Sequence, residues 1–171
     1  YTPNIEAQFV QVGSIQEMEM GDSNGDSMAD AFVFSTQNYS TGVGTGFAVV
    51  ESNATAMTYS LSSWTATCPT SQRIRIADMN NDSFDDVVTF EQFNETMCIH
   101  YYNSTSSTYD TYFTVNITTA PIDVQLRDLN GDNFSDFISV HGYFDNGLVA
   151  VNAFNATCLL YTSDAADERL R

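Results

Sequence analysis

The stretch GDSNGDSMAD, residues 21–30, decides the fold, because its pattern occurs three times in the chain. It places acidic or carboxamide side chains at positions one, three, five and nine of a nine-residue run that starts at Asp22. The same run starts again at Asp78, as DMNNDSFDD, and at Asp128, as DLNGDNFSD, so the copies begin 56 and 50 residues apart. A pattern that recurs about every 50 residues is typical of repeat architectures.

Short alternating apolar segments flank each acidic run and read as β-strands that enter and leave a turn. They are MEM and DAFVF in the first copy, IRI and DVVTF in the second, and VQL and DFISV in the third. A third strand follows in each copy (TGFAVVE, MCIHYY, GLVAVNAF), and a fourth follows in the first two (MTYSLSSW, YDTYFTV). This pattern predicts an all-β protein of four-stranded antiparallel blades, arranged as a partial β-propeller.

The predicted units are repeat 1 at 16–71, repeat 2 at 72–123 and repeat 3 at 124–157, the last ending before its fourth strand. Within residues 1–15, EAQFVQV predicts an additional strand that completes a blade of this chain or of a neighbour. Residues 158–171 are interpreted as a non-native tail, because CLLYTSDAADE resembles a translated sequencing-library adapter. Open strand edges invite pairing, so we expect self-association or a protein partner at the blade edges.

Composition excludes several classes of partner. The formal net charge is -17 with only five basic residues, none of them lysine. Phosphate backbones are bound mainly through Lys and Arg, so nucleic acid is not an expected partner. The sequence has no run of 18 apolar residues, so no membrane span is predicted. With 43% hydrophobic residues, the chain has ample material for a core.

The chemistry of the acidic runs points to a hard cation. Carboxylates this close together repel one another unless a cation or hydrogen bonds compensate, and Ca²⁺ takes six to eight oxygen ligands. Positions one, three, five and nine offer side-chain oxygens; an apolar residue at position seven can turn its carbonyl to the ion while its side chain packs under the loop. An EF-hand needs Glu at position twelve and flanking helices, which are missing here, and Mg²⁺ remains an alternative. The ligands predicted for three Ca²⁺ sites are Asp22, Asn24, Asp26, Met28 and Asp30; Asp78, Asn80, Asp82, Phe84 and Asp86; and Asp128, Asn130, Asp132, Phe134 and Asp136.

The three loops and their flanking strands resemble FG-GAP or VCBS repeats, the calcium-loop propeller blades of integrin α-subunit heads and of many secreted or surface proteins. The resemblance covers about residues 16–157. It implies a bladed fold, calcium in the loops and an extracellular location. Loops of this family usually have glycine at positions four and six. In this chain, position four is Gly25, Asn81 and Gly131, and position six is Ser27, Ser83 and Asn133.

Glycosylation sequons are dense and predict a secreted glycoprotein. Asn81 and Asn133 also match the sequon, but a glycan inside an acidic loop would crowd a bound ion. Cys68 and Cys98 could be free buried thiols; an oxidising compartment favours a disulfide between them. The predicted glycan acceptors are Asn38, Asn53, Asn94, Asn103, Asn116 and Asn155.

Two functional classes fit the sequence. The first is a non-enzymatic, secreted or surface calcium-binding glycoprotein module with a structural or adhesive role, and a candidate subunit of a surface filament. The second is a fragment of a propeller-based secreted enzyme or lectin whose active site lies outside this chain. The first is favoured because His100 and His141 have no nucleophile or acid at triad spacing, and because loops saturated with protein ligands leave no open position for chemistry.

Overall fold

The computed structural model describes residues 14–36, 44–53, 58–91, 95–110, 112–117, 121–141, 148–155 and 158–163, without the side chains from residue 141 onward. All regular structure in this part of the chain is β, in antiparallel sheets, so the predicted fold class is confirmed at that level. The described strands form open sheets and close no propeller or barrel. Nor do they include a helix with the length and apolar character needed to cross a membrane. The predicted strand at residues 6–12 lies outside the described residues.

Sheet 1 is built from the first repeat. Its strands are β1 (Ile15–Gly21), β2 (Asp30–Ser35), β3 (Gly46–Asn53), β4 (Thr58–Leu61) and β5 (Thr65–Ala66). They pair in the order β1-β2-β3-β4, and β5 pairs with the first residues of β3. The acidic run is the loop that joins β1 to β2.

Sheet 2 is built from the second repeat and has the order β6-β7-β8-β11. Its strands are β6 (Arg73–Ala77), β7 (Asp86–Phe90), β8 (Thr96–His100) and β11 (Phe113–Asn116), while β9 (Tyr102–Asn103) and β10 (Thr108–Tyr109) form a separate hairpin. The segment predicted as one fourth strand, YDTYFTV, is therefore divided between β10 and β11. The Asp110 backbone explains the break: its N–H donates to the Tyr101 carbonyl, and its carbonyl accepts from the His100 ring.

Sheet 3 contains β12 (Asp123–Arg127), β13 (Asp136–His141), β14 (Leu148–Asn155) and β15 (Cys158–Ser163), paired in chain order. In this structure the fourth strand of the sheet is therefore formed by residues 158–163, beyond the predicted end of repeat 3 at residue 157, and the predicted repeat bounds stay a prediction. CLLYTS has the short apolar character of a strand, and the free edge of β14 offers it unpaired backbone groups. The resemblance of this segment to an adapter stays a prediction.

The three sheets pack face to face, with sheet 2 in the middle. One hydrophobic cluster joins Phe32, Phe34, Phe47 and Val49 of sheet 1 to Ile74 and Val87 of sheet 2. A second cluster joins Val88, Phe90, Met97 and Ile99 of sheet 2 to Val124 and Phe137 of sheet 3. Neighbouring residues of a strand point to opposite faces of the sheet. Because β7 contributes to both clusters, both of its faces are buried and its sequence is largely apolar.

The first strands of the three sheets meet at Arg75. Its guanidinium pairs with Glu17 at 2.9 Å and Glu19 at 3.0 Å, both on β1, and with Asp123 on β12. Its Nε also donates to the Val124 carbonyl at 2.8 Å. Burial opposes the positive charge, but the hydrogen bonds to Glu17 and Asp123 outweigh it and hold the pKa of Arg75 above its ordinary value. One cation therefore ties β1, β6 and β12 together.

A disulfide links sheets 1 and 2. Cys68 follows β5, Cys98 lies in β8, and their Cα atoms are 6.2 Å apart, within the usual range for a disulfide. The structure thus contains the predicted pair as a covalent tie beside the hydrophobic cluster that joins the same two sheets.

Candidate metal-binding loops

The three acidic loops share one backbone conformation. Positions four and six have left-handed φ angles in every copy, a conformation that favours glycine. Position four is occupied by glycine or asparagine, but position six holds serine in two loops, which is unusual for that conformation. The φ values are 74°, 60° and 80° at Gly25, Asn81 and Gly131, and 65°, 71° and 68° at Ser27, Ser83 and Asn133.

The carboxylate at position one organises each loop. In loop 1, Asp22 Oδ1 accepts the Gly25 and Asp26 N–H groups at 2.7 and 3.1 Å, and Oδ2 accepts the Ser27 N–H at 2.7 Å. Asp78 and Asp128 accept loop N–H groups in the same way. These bonds, above all the one from Gly131, hold the pKa of Asp128 below its ordinary value. Asp128 therefore favours the anionic form.

Positions three and five continue this pattern of short-range bonds. Asn24 Oδ1 accepts the Asp26 N–H at 3.0 Å, and Asp26 Oδ1 accepts the Met28 N–H at 2.8 Å. The equivalent bonds recur in loops 2 and 3. Because Asp26 uses one oxygen for its own loop, the carboxylate keeps acceptor capacity for a further ligand.

Position nine has a role that the sequence did not reveal. Asp30, Asp86 and Asp136 are buried, and each accepts the N–H of position two of its own loop at 2.9 to 3.0 Å. The other oxygen of Asp30 accepts the Ser52 N–H, and that of Asp86 accepts the Tyr102 N–H. Burial raises the pKa of Asp86 to about 7. This carboxylate fastens the loop to a later part of the same repeat.

The apolar residue at position seven is half-buried in each loop. The Phe84 ring stacks on Tyr102 with 5.1 Å between centroids. Phe84 also reaches loop 1, because a Cβ atom placed on Gly25 would lie 2.8 Å from its ring. Loops 1 and 2 therefore touch.

Asp85 is the residue of this region that sequence reasoning missed. Its carboxylate accepts the Asp22 N–H at 2.7 Å, and its own N–H donates to the Asp22 carbonyl at 3.0 Å. Burial raises the pKa of Asp85 above its ordinary value. The only signal in the sequence is that this position is Ala29 in loop 1 and Ser135 in loop 3, so loop 2 alone carries an additional acid.

The oxygen atoms of each loop are of the type that calcium binds. Their arrangement in this structure suits the ion less well than their chemistry does. Carboxylate, carboxamide and backbone oxygens are the ligands of a hard cation. Among the described residues, no three His, Cys, Asp or Glu side chains are grouped as a metal site. The reason is visible in the loops: position three is asparagine, and position nine turns toward the strands. What remains is two carboxylates and one carboxamide per loop.

These loop carboxylates have no cationic partner within the described part of the chain. The ion pairs there join Arg73 and Arg75 to Glu17, Glu19 and Asp123, and none involves position one or five of a loop. In the described residues, the charge of positions one and five is therefore balanced only by neutral donors, which are backbone N–H groups and, at Asp82, the Asn80 side-chain amide at 3.0 Å.

The remaining predicted residues are distributed over the surface and the core. Asn53 and Asn116 are exposed, whereas Asn103 is half-buried and donates to Asp110 at 3.4 Å. Asn38, Asn94 and the side chains of Asn155 and His141 lie outside the described residues.

His100 has the environment of a packing residue. It is fully buried, its Nδ1–H donates to the Asp110 carbonyl at 3.0 Å, and its ring lies edge-on to Phe47. Its Nε2 has no hydrogen-bond partner among the described residues, and burial lowers the pKa of the ring. The neutral form is therefore favoured.

No protein-family model matches the chain, and no curated protein matches it either. Functional inference therefore rests on the three loops and the sheets that hold them.

Proposed function

We propose that the chain is an extracellular calcium-binding glycoprotein module with a structural or adhesive role, built as an arc of propeller blades of the FG-GAP or VCBS kind. The observation that carries this proposal is the threefold repetition of one loop, with the same left-handed positions and the same N–H bonds to position one. Similar loops at the same corner of three packed sheets suit a repeated structural site better than a single catalytic centre.

Calcium would remove the main electrostatic cost of these loops. Positions one and five carry two negative charges per loop with no cationic partner among the described residues, in a chain of net charge -17. In the proposed ion-bound loop, positions one, three and five contribute side-chain oxygens and position seven contributes its carbonyl. The position-nine carboxylate would join this set only by giving up hydrogen bonds, because Asp30 already accepts the N–H and hydroxyl groups of both Ser23 and Ser52. A bound ion would stiffen the turn between the first two strands of each sheet.

The secreted location is supported by two independent features. The Cys68–Cys98 disulfide is of the kind that persists in oxidising compartments. The sequons at Asn53 and Asn116 present exposed side chains, as a glycan acceptor requires. The proposed partners are other protein chains and N-linked glycans.

Thermal unfolding with and without calcium tests the metal site. A ligand that binds only the folded state adds about 2.7 kcal/mol per site at a hundredfold excess over Kd, and extracellular sites often have Kd near ~10⁻⁴ to 10⁻³ M. For a chain of this size, each such site should raise the Tm by about 5–10 °C. A Tm that is the same in millimolar calcium and in EDTA would contradict calcium binding.

Charge-removing variants locate the sites. Asp26→Asn, Asp82→Asn and Asp132→Asn keep an oxygen that can accept the position-seven N–H, but each removes one ligand charge. Each should lower the calcium stoichiometry measured by calorimetry by about one from a total near three. Glu95→Gln is the matched control, because Glu95 is an exposed acid outside the loops. Equal calcium binding by all four variants would argue against these loops as the calcium sites.

A further inference from the structure

The exposed large hydrophobic side chains of the described residues are all on the two outer sheets of the stack. Met18 pairs with Val33 and Tyr59 with Ser52, on the face of sheet 1 opposite the Phe32 cluster. Val140 lies three residues after Phe137, so strand alternation turns it away from sheet 2. The exposed residues are Ile15, Met18, Met20 and Tyr59 on sheet 1, and Leu129 and Val140 on sheet 3.

Three of these residues have buried counterparts at the same repeat position. Met18 is 60% exposed, whereas Ile74 and Val124, each four residues before a loop aspartate, are 0% exposed. Leu129, at position two of loop 3, is 48% exposed, whereas Met79 at position two of loop 2 is 0% exposed. The same contrast holds at the end of the second strand, where Val140 is 43% exposed and both Phe34 and Phe90 are 0% exposed.

The buried counterparts show that the sheets pack with a direction. We call the face that carries Phe34 in sheet 1 and Phe90 in sheet 2 the leading face. We call the face that carries Ile74 in sheet 2 and Val124 in sheet 3 the trailing face. At both internal contacts, a leading face packs on the trailing face of the next sheet. The leading face of sheet 3 and the trailing face of sheet 1 are the pair left without a partner sheet in the described residues.

One polar contact joins a leading face to a trailing face, between sheets 2 and 3. Arg75 of sheet 2 donates to the Val124 carbonyl of sheet 3. The equivalent residues at the unpaired faces are Gln125, which is exposed on β12, and Met18, which lies on the edge strand β1. The Gln125 amide can donate to a carbonyl in the same way, so the polar part of the contact can be repeated along with the apolar part.

We propose that the leading face of sheet 3 packs on the trailing face of sheet 1 of a second copy of this chain. The contact is head-to-tail, because it joins two different surfaces. Two copies supply six sheets, within the range of about four to eight blades that close a propeller, so we expect a closed pair. The inference deepens the proposed structural role but rests on sheet packing, so it stands or fails separately from calcium binding.

Sedimentation of the full deglycosylated chain tests the contact over about 1–100 µM, in calcium and in EDTA. The wild type should reach twice the chain mass of 18.9 kDa. Met18→Asp and Val140→Asp should each remain monomeric, since each removes one of the two surfaces. An equimolar mixture of the two variants should recover a pair, because each variant keeps the surface that the other lacks. Recovery would also show that both variants are folded.

Ser104→Asp adds the same charge in the exposed turn between β9 and β10 and should assemble like the wild type. A wild-type chain that stays at 18.9 kDa throughout this range would overturn the proposal. So would assembly that survives Val140→Asp but not Met18→Asp, because that result indicates a symmetric contact through sheet 1 alone. If the chain assembles in EDTA and its Tm is the same with and without calcium, the result supports the contact between copies. That result contradicts only the metal site.

Discussion

Replacing Arg75 with alanine should destabilise the fold more than any other single charge removal at the junction of the three sheets. The Arg75 side chain is 13% exposed, and Glu17, its partner at 2.9 Å, is 16% exposed. Among the described residues, the substitution leaves Glu17 with only the Ile74 N–H at 3.0 Å and the more distant Arg73 at 3.4 Å. It also removes the donor to the Val124 carbonyl.

The size of the effect follows from burial. Removing one member of a buried ion pair costs about 3–5 kcal/mol, because the other charge stays buried without its partner. Glu19 and Asp123 are 35% and 47% exposed and can be partly solvated, which places the expected loss near the lower end. We expect the free energy of unfolding to fall by about 3 kcal/mol and the Tm to fall by about 6–12 °C.

Arg73→Ala is the matched control. Arg73 lies on the same strand and pairs with the same Glu17, but its side chain is 42% exposed. An exposed pair contributes about 0–1 kcal/mol, so this variant should change stability by less than 1 kcal/mol. Urea unfolding at pH 7 measures both variants, with equal m-values showing that the same surface is exposed on unfolding. Equal losses for the two variants would refute the assignment of Arg75 as the junction cation.

Three further predictions concern the loops, the core and the surface. Gly25→Ala should destabilise by about 2–3 kcal/mol and Gly131→Ala by about 1 kcal/mol, because both need a left-handed φ but only the Cβ at position 25 meets Phe84; equal losses in urea unfolding would contradict this packing. Burial holds the pKa of His100 below its ordinary value of 6.5, so the free energy of unfolding should fall as the pH drops below about 6.5, where only the unfolded chain binds the proton; His100→Gln should flatten the slope between about pH 7 and pH 5, and an unaltered slope would rule this out. In a eukaryotic secretory host, Asn53 and Asn116 should carry glycans and Asn133, in a left-handed loop position, should not; peptide mapping after glycosidase treatment decides it, and unmodified Asn53 and Asn116 would argue against the secreted assignment.

The strands around each loop could be predicted from sequence because their signals are local. Alternating apolar residues and a polar turn are enough to place β1 and β2, or β6 and β7. The break between β10 and β11 could not be predicted, since it depends on bonds between Asp110 and the distant Tyr101 and His100. Arg75 likewise appears in the sequence as one of five basic residues, and only the meeting of three first strands makes it a junction.

The order in which the sheets pack could be predicted from the sequence only in part. The repeat predicts equivalent strands, but the sequence alone does not indicate which face of a strand meets which neighbour. β7 is apolar on both faces, as a middle sheet requires, and this pattern is visible in DVVTF. The exposed face of β1 carries Met18 and Met20 and is also apolar. The sequence alone therefore does not indicate whether an apolar face lies between two sheets or at the end of the stack.

At position nine, the same aspartate matches the spacing of a calcium ligand and is also needed for folding. Asp30, Asp86 and Asp136 match the spacing expected of a calcium ligand, yet each is buried and bonded to the N–H of position two. A buried N–H without an acceptor costs about 1–3 kcal/mol, so the carboxylate would be needed here even in a loop that bound no ion. Positions one and five also accept loop N–H groups, but their carboxylates are only partly buried or exposed, and in the described residues no cation balances their charge. The case for calcium therefore rests on positions one, three and five, whereas the recurrence of aspartate at position nine is explained by the folding of each repeat.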